Sequence, residues 1–136
     1  MANSIFSPAS QALPNTAAVI GLVPIALGIN AIFRPRSALS LLEFATPKDP
    51  EAQKLADNLM RIYGGRDVAI GVPMLLSWYF GDRKVLGWLL ITGAFTASVD
   101  AWATRLQNGK GEWNHLPFAV IGVGLGGGIL GWFSQA

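Results

Sequence analysis

Cysteine is absent from the 136 residues, which excludes disulfides, thiolate metal sites and a cysteine nucleophile. Charge is scarce too: only 13% of residues are Asp, Glu, Lys or Arg, about half the share of an ordinary soluble domain. The basic residues are spread over the connections between apolar stretches, and the formal net charge is +2. No concentrated basic stripe of the kind that phosphate backbones need is present, so nucleic acid is not an expected partner. There is no HExxH, no acidic cluster, no serine-nucleophile architecture, and no glycine loop followed by Lys-Ser/Thr. Neither a metal nor another cofactor is therefore expected.

What the chain has instead is apolar length, with 51% hydrophobic residues gathered mainly into four stretches. About 20 residues cross a hydrocarbon core of about 30 Å. The pattern predicts one all-α domain, an integral membrane up-down-up-down four-helix bundle with spans at 12–33, 58–80, 85–103 and 116–133. Residues 1–11 carry no Lys or Arg, and the apolar run after them exceeds the roughly 7–15 residues of a signal-peptide core, so it reads as a retained first span.

In the first span Pro14 suits a first turn, whereas Pro24 lies mid-helix beside Gly21 and Gly28 and predicts a kink. After Arg34-Pro35-Arg36, residues 37–45 suit a short helix on the membrane surface. Asp49-Pro50-Glu51 is a helix start: a cap, a first-position proline and an acid at the positive end of the dipole. From there one long helix is expected, first amphipathic and cytoplasmic, then membrane-spanning. Gly64-Gly65 and Pro73 weaken it around Arg66 and Asp67. The residues 81–84 form a short turn, and 105–114 a polar connection. The fourth span holds Gly122, Gly124, Gly126, Gly127, Gly128 and Gly131, a face for close packing inside the bundle or for homo-oligomerisation.

Trp78, Tyr79, Trp88 and Trp132 fall at one end of the spans, and Trp102 and Trp113 at the other, as two interfacial belts. Arg34, Arg36, Lys48, Lys54, Arg105 and Lys110 lie on one side, against Arg83 and Lys84 on the other. The positive-inside rule then places both termini in a lumen or outside the cell, in the endoplasmic reticulum or another endomembrane.

Ionisable groups at membrane depth are functional candidates by default. Helical rise places Asp67 roughly 20 Å and Asp100 roughly 22 Å from the turn at 81–84, with His115 and Asn30 a few ångströms further. The candidate catalytic set is Asp67, Asp100, Arg66, Tyr63 and His115; Asn30, Thr92, Thr96, Met74 and Arg61 are candidate substrate contacts. Arg66 and Asp67 point about 100° apart on a helix, which speaks against simple mutual neutralisation. One arrangement pairs Arg66 with Asp100 and leaves Asp67 near Tyr63. The other has Arg61 or Arg66 serve Asp67 and leaves Asp100 free. Each residue also has a plainer reading: Arg66 and Asp100 as an ion pair fixing helix register, Arg61 snorkelling at the interface, His115 starting a helix, and the threonines bonding their own helix.

The run Arg61-Ile62-Tyr63-Gly64-Gly65-Arg66-Asp67, with Ile70-Gly71 and the later Asp100, resembles a family of small four-span membrane proteins, mostly fungal, catalogued as a domain of unknown function (number 4267). The resemblance covers roughly residues 17–132 and implies topology more than activity. By analogy with membrane enzymes of natural-product pathways, the expected function is a cofactor-independent acid/base isomerase or cyclase acting on a lipophilic small molecule from the bilayer. The competing expectation is a non-catalytic protein binding a lipid or partner helix, its charges structural.

Overall fold

The computed structural model describes residues 10–133, and among them the chain is all-helical. Its helices are α1 (Ala12–Phe33), α2 (Pro35–Leu41), α3 (Pro50–Tyr79), α4 (Arg83–Asn108) and α5 (Leu116–Ile129), with a 3-10 turn at Glu112–Asn114 before α5. The start of α3 forms as its sequence dictates: the Asp49 carboxylate accepts from the Ala52 amide at 2.8 Å, and Pro50 occupies the first position. The Asp82 carboxylate caps α4 in the same way, accepting from the Val85 amide at 3.0 Å. Gly109, at φ +70°, closes that helix with its N–H on the Arg105 carbonyl.

Three boundaries differ from the expectation. The surface helix covers Pro35–Leu41 rather than 37–45, because Pro35 begins a new helix with only Arg34 between it and the end of α1. The supposed polar connection at 105–114 is helical as far as Asn108. The fourth apolar helix stops at Ile129 instead of reaching Phe133, where Gly131 turns at φ +81° and the Trp132 amide returns to the Gly127 carbonyl at 2.9 Å.

Two helices, α1 and α4, are long and apolar enough to cross a membrane. Only 28% of each apolar window is buried, so most of that surface faces outward, unlike a core helix of a soluble domain. The other two expected spans, in α3 and α5, are not long and apolar enough. α3 carries Arg66 and Asp67 inside its apolar half, and α5 has 14 residues, or about 21 Å of rise. At one end of the bundle Trp88 and Trp132 meet edge to face, their centroids 6.2 Å apart. The Trp78 indole N–H bonds the Asn15 side chain at 2.9 Å, tying the end of α3 to the start of α1.

Packing is organised in two pairs, α1 on α3 and α5 on α4. The first pair closes through glycines spaced seven apart on both helices. A Cβ on Gly28 or Gly64 would stand 2.5 Å from the carbonyl oxygen of the other, and one on Gly71 would stand 2.5 Å from the Gly21 carbonyl. Backbone therefore touches backbone at two levels, a contact only glycine permits. Gly64, expected only to weaken α3, is one of the residues that holds it in place. In the second pair a Cβ on Gly126 would meet the Gly87 carbonyl at 2.8 Å, and one on Gly122 the Leu90 carbonyl at 2.9 Å. The glycine face of α5 is thus used within the chain at these positions, whereas Gly124 meets nothing within 4 Å.

The neighbours Gly64 and Gly65 supply a controlled test. Alanine at either gains about 1 kcal/mol of helix propensity. At Gly65 the new methyl meets nothing within 4 Å, and Gly65→Ala is expected to raise the thermal unfolding midpoint in detergent. At Gly64 it meets a backbone oxygen, and overpacking of about 1–3 kcal/mol reverses the sign, so Gly64→Ala should lower the midpoint.

Candidate functional site

The two helix pairs meet mainly through α3 and α4, while α1 has little contact with α4 or α5. In the gap lies a cavity of about 320 Å³ walled by all five helices. Ile20, Met74, Leu90 and Gly122 line one end and Asn30, Tyr63, Asp100 and His115 the other. Almost everything between is apolar. Leu27, Leu41 and Phe118 line the cavity and are also exposed at its mouth, by 43%, 59% and 44%.

Asn30, Asp67, Asp100 and His115, each from a different stretch of chain, border this one cavity. Between the acids stands Arg66. Its Nη1 donates to Asp100 Oδ1 at 3.0 Å and its Nη2 to Asp100 Oδ2 at 2.9 Å, a two-point clamp across the α3/α4 interface. Its Nε and Nη2 also donate to Asp67 Oδ1, at 3.3 and 3.0 Å. The 100° separation of neighbours on a helix does not keep Arg66 from Asp67, because the long guanidinium arm bends back far enough to bridge both acids. Tyr63 is near both acids, as the first arrangement has it for Asp67. Its hydroxyl donates to Asp100 Oδ2 at 3.4 Å, and its ring lies under the guanidinium, 4.2 Å from the Arg66 Cζ.

This leaves the two acids in different states of engagement. Both oxygens of Asp100 accept hydrogen bonds, one of them twice. Asp67 is 6% exposed, holds Arg66 by Oδ1 alone, and its Oδ2 has no partner among the described residues. Two carboxylates against one guanidinium also leave one formal negative charge in excess.

Across the cavity, Asn30 Nδ2 and His115 Nε2 are buried without a hydrogen-bond partner. Burial holds the His115 imidazole below its ordinary pKa, against the opposing pull of the Asp100 carboxylate. Among the described residues, no three His, Asp or Glu side chains gather closely enough to hold a metal ion.

Of the expected substrate contacts, Asn30, Met74 and Thr96 border the cavity, although the Thr96 hydroxyl donates to the Thr92 carbonyl of its own helix at 3.1 Å. Thr92 does not belong to the wall: it is exposed and its hydroxyl donates to the Trp88 carbonyl at 2.9 Å. A polar row with four-residue spacing drifts around a helix of 3.6 residues per turn, so its ends leave the face that its middle occupies. Arg61 is also displaced. It is exposed, donates to Asn58 Oδ1 at 2.9 Å, and borders a separate surface hollow with Arg34, Arg36 and Asp57, so it does not serve Asp67.

The sequence reading missed Ala38 and Leu41 of α2, and Leu42 just after it, as part of the wall, because a seven-residue helix has too few positions for a periodic signal. Phe118 was also missed, although its place three residues after His115 on the same helical face was legible.

Phosphoribosylformylglycinamidine synthase subunit PurL of Chlorobium luteolum (strain DSM 273 / BCRC 81028 / 2530) is 28% identical over 93 residues. That match takes in 68% of this chain but spans only 12% of the relative, a share at which nothing of that protein's activity carries over. No solved structure matches. Over residues 21–129, which contain the glycine contacts of both helix pairs and every charged side chain of the cavity wall, the sequence matches the family described as domain of unknown function (DUF4267), and the chain belongs to that family.

Proposed function

We propose that this chain is a four-span membrane protein and a cofactor-independent acid/base isomerase or cyclase for a lipophilic molecule held in the cavity. The observation that carries the reading is an apolar cavity of about 320 Å³ ending on a buried carboxylate with one unengaged oxygen. That volume falls at the small end of the range for ligand sites. In this reading α3 and α5 also cross the bilayer, their outward faces carrying apolar side chains such as Leu76 and Val120. The basic connections face the cytoplasm.

Asp67 is the proton-transfer group, through Oδ2. Arg66 fixes its other oxygen, and Asp100 with Tyr63 fixes Arg66. An isomerisation that moves a C–H proton needs one such base, positioned beside the C–H bond. The product has the mass of the substrate, and the transferred proton exchanges with solvent. The reaction is therefore detectable before its substrate is known. Purified protein incubated in D2O with a total lipid extract of its own membranes should introduce deuterium into one lipophilic species. Asp67→Asn should lower that incorporation by about 100-fold or more. Undiminished incorporation with folded Asp67→Asn would sink the reading.

A second reading, with the charges purely structural, is favoured by one observation: Arg66 already satisfies three of the four carboxylate oxygens. The two are separated by stability against turnover. Arg66→Met leaves two buried acids facing each other and should cost on the order of 3 kcal/mol of unfolding free energy, at the lower end for a broken buried pair because Arg66 is partly exposed. Asp100→Asn balances the remaining charge but keeps one acceptor oxygen where Asp100 offers two, so half of the Arg66 clamp is lost; its unfolding midpoint should fall, by less than in Arg66→Met, while deuterium incorporation falls. Normal incorporation in that variant supports the structural reading for Asp100.

A further inference from the structure

The cavity's unpaired atoms select the kind of molecule it holds. We infer that the ligand is a neutral lipophile whose polar end is a carbonyl or hydroxyl oxygen, seated between the Asp67/Arg66/Asp100 cluster and the unpartnered Asn30 and His115. This rests on the reading of the cavity as a ligand site and goes beyond it by naming the ligand's polar end.

Three observations narrow the choice. The first is charge. Asp67 and Asp100 face the single guanidinium of Arg66, and the excess negative charge lies in an apolar wall where it is weakly screened. His115 forms no ion pair with either acid, and its Nε2 has no hydrogen-bond partner. A carboxylate or phosphate head is repelled there.

The second is the orphan donor. Asn30 Nδ2 is buried with no acceptor, and an amide N–H can only donate. An ammonium head, which the excess charge would attract, has no lone pair to offer and leaves Asn30 unmet. A neutral oxygen meets it. Swapping the amide ends would place the carbonyl in that position, which a hydroxyl also satisfies. His115 Nε2, likewise unpartnered, gives or takes one bond according to its tautomer, and an oxygen head serves either.

The third is the distribution of polarity along the cavity. From Asp67 to the end bordered by Asn30 and His115 the wall carries polar atoms, and the Thr96 hydroxyl is taken up by its own helix; the far end, at Ile20 and Met74, is hydrocarbon. Ten residues of α1 separate Asn30 from Ile20, roughly 15 Å at the helical rise, so the cavity takes a molecule with one polar end and an apolar body of about that length.

The test uses the full chain in phosphatidylcholine nanodiscs at pH 8, with dodecan-2-one carrying ¹³C at the carbonyl as the observed probe. Bound ketone should show a carbonyl NMR shift displaced from that of ketone in empty nanodiscs. Competitors are compared at matched mole fraction in the bilayer. Dodecan-1-ol should displace the ketone, whereas dodecanoate and dodecylammonium should each require about tenfold more or greater, the equivalent of one unmet hydrogen bond. Asn30→Leu should weaken ketone binding by about tenfold and remove part of the carbonyl displacement.

Displacement by dodecanoate or dodecylammonium as readily as by the alcohol overturns the inference. So does failure of the ketone to bind, or an unchanged carbonyl shift in Asn30→Leu. Selective ketone binding without deuterium incorporation from D2O refutes the acid/base reading while leaving this inference intact; incorporation alongside indiscriminate binding does the reverse.

Discussion

The contact on which the rest of the molecule depends is between main chains. Where α1 and α3 cross, Gly21 faces Gly71 and Gly28 faces Gly64, and backbone meets backbone with no side chain between them. Dispersion and the fit of two smooth helix surfaces hold that seam, as they do where lipid removes the hydrophobic incentive to associate. Asp67 lies between the two glycine contacts along α3, three residues after Gly64 and four before Gly71. The buried acid is thus bracketed by close backbone contacts on both sides. On the other side of the molecule α4 and α5 are held by the same device at Gly87, Gly122 and Gly126. Because each pair is tight and the pairs join chiefly through α3 and α4, a space remains between them.

Arg66 ties α3 to α4 beside that space. A guanidinium can offer parallel donors to Asp100 and still reach Asp67, where a lysine ammonium would act as a point charge. The ring of Tyr63 underneath and its hydroxyl on Asp100 complete the fixing of the arginine. A buried pair of this kind is weak evidence for stability, since desolvation offsets the attraction. Its more distinctive result is asymmetry: one acid fully occupied, the other with an oxygen to spare.

Much of this was legible in the residues and some was not, for separable reasons. Hydrophobic run length and the Asp49-Pro50-Glu51 start located the helices, because those signals act within a few residues. Helical rise brought Asp67, Asp100, Asn30 and His115 to one level, because distance along a helix is fixed by geometry. Rotation about the axis is harder to read, which is why Thr92 turned outward and the Tyr63 hydroxyl found Asp100. The reach of a long side chain escapes spacing rules altogether, as the bond from Arg66 back to Asp67 illustrates. The seven-residue spacing of Gly21 with Gly28 and of Gly64 with Gly71 was visible, but reading those glycines singly, as weak points, hid their pairing across the interface.

The apolar mouth formed by Leu27, Leu41 and Phe118 bears on how the site would be filled. On the membrane reading, a guest arrives by lateral diffusion, and its supply is set by partitioning rather than by aqueous solubility. A lipophile concentrated in that way occupies a site of modest intrinsic affinity, so the walls need contribute little to capture. Their interactions can then be reserved for the reacting arrangement, which is where binding energy raises a rate. A loose apolar barrel above a rigid polar floor is the division of labour that such a supply favours.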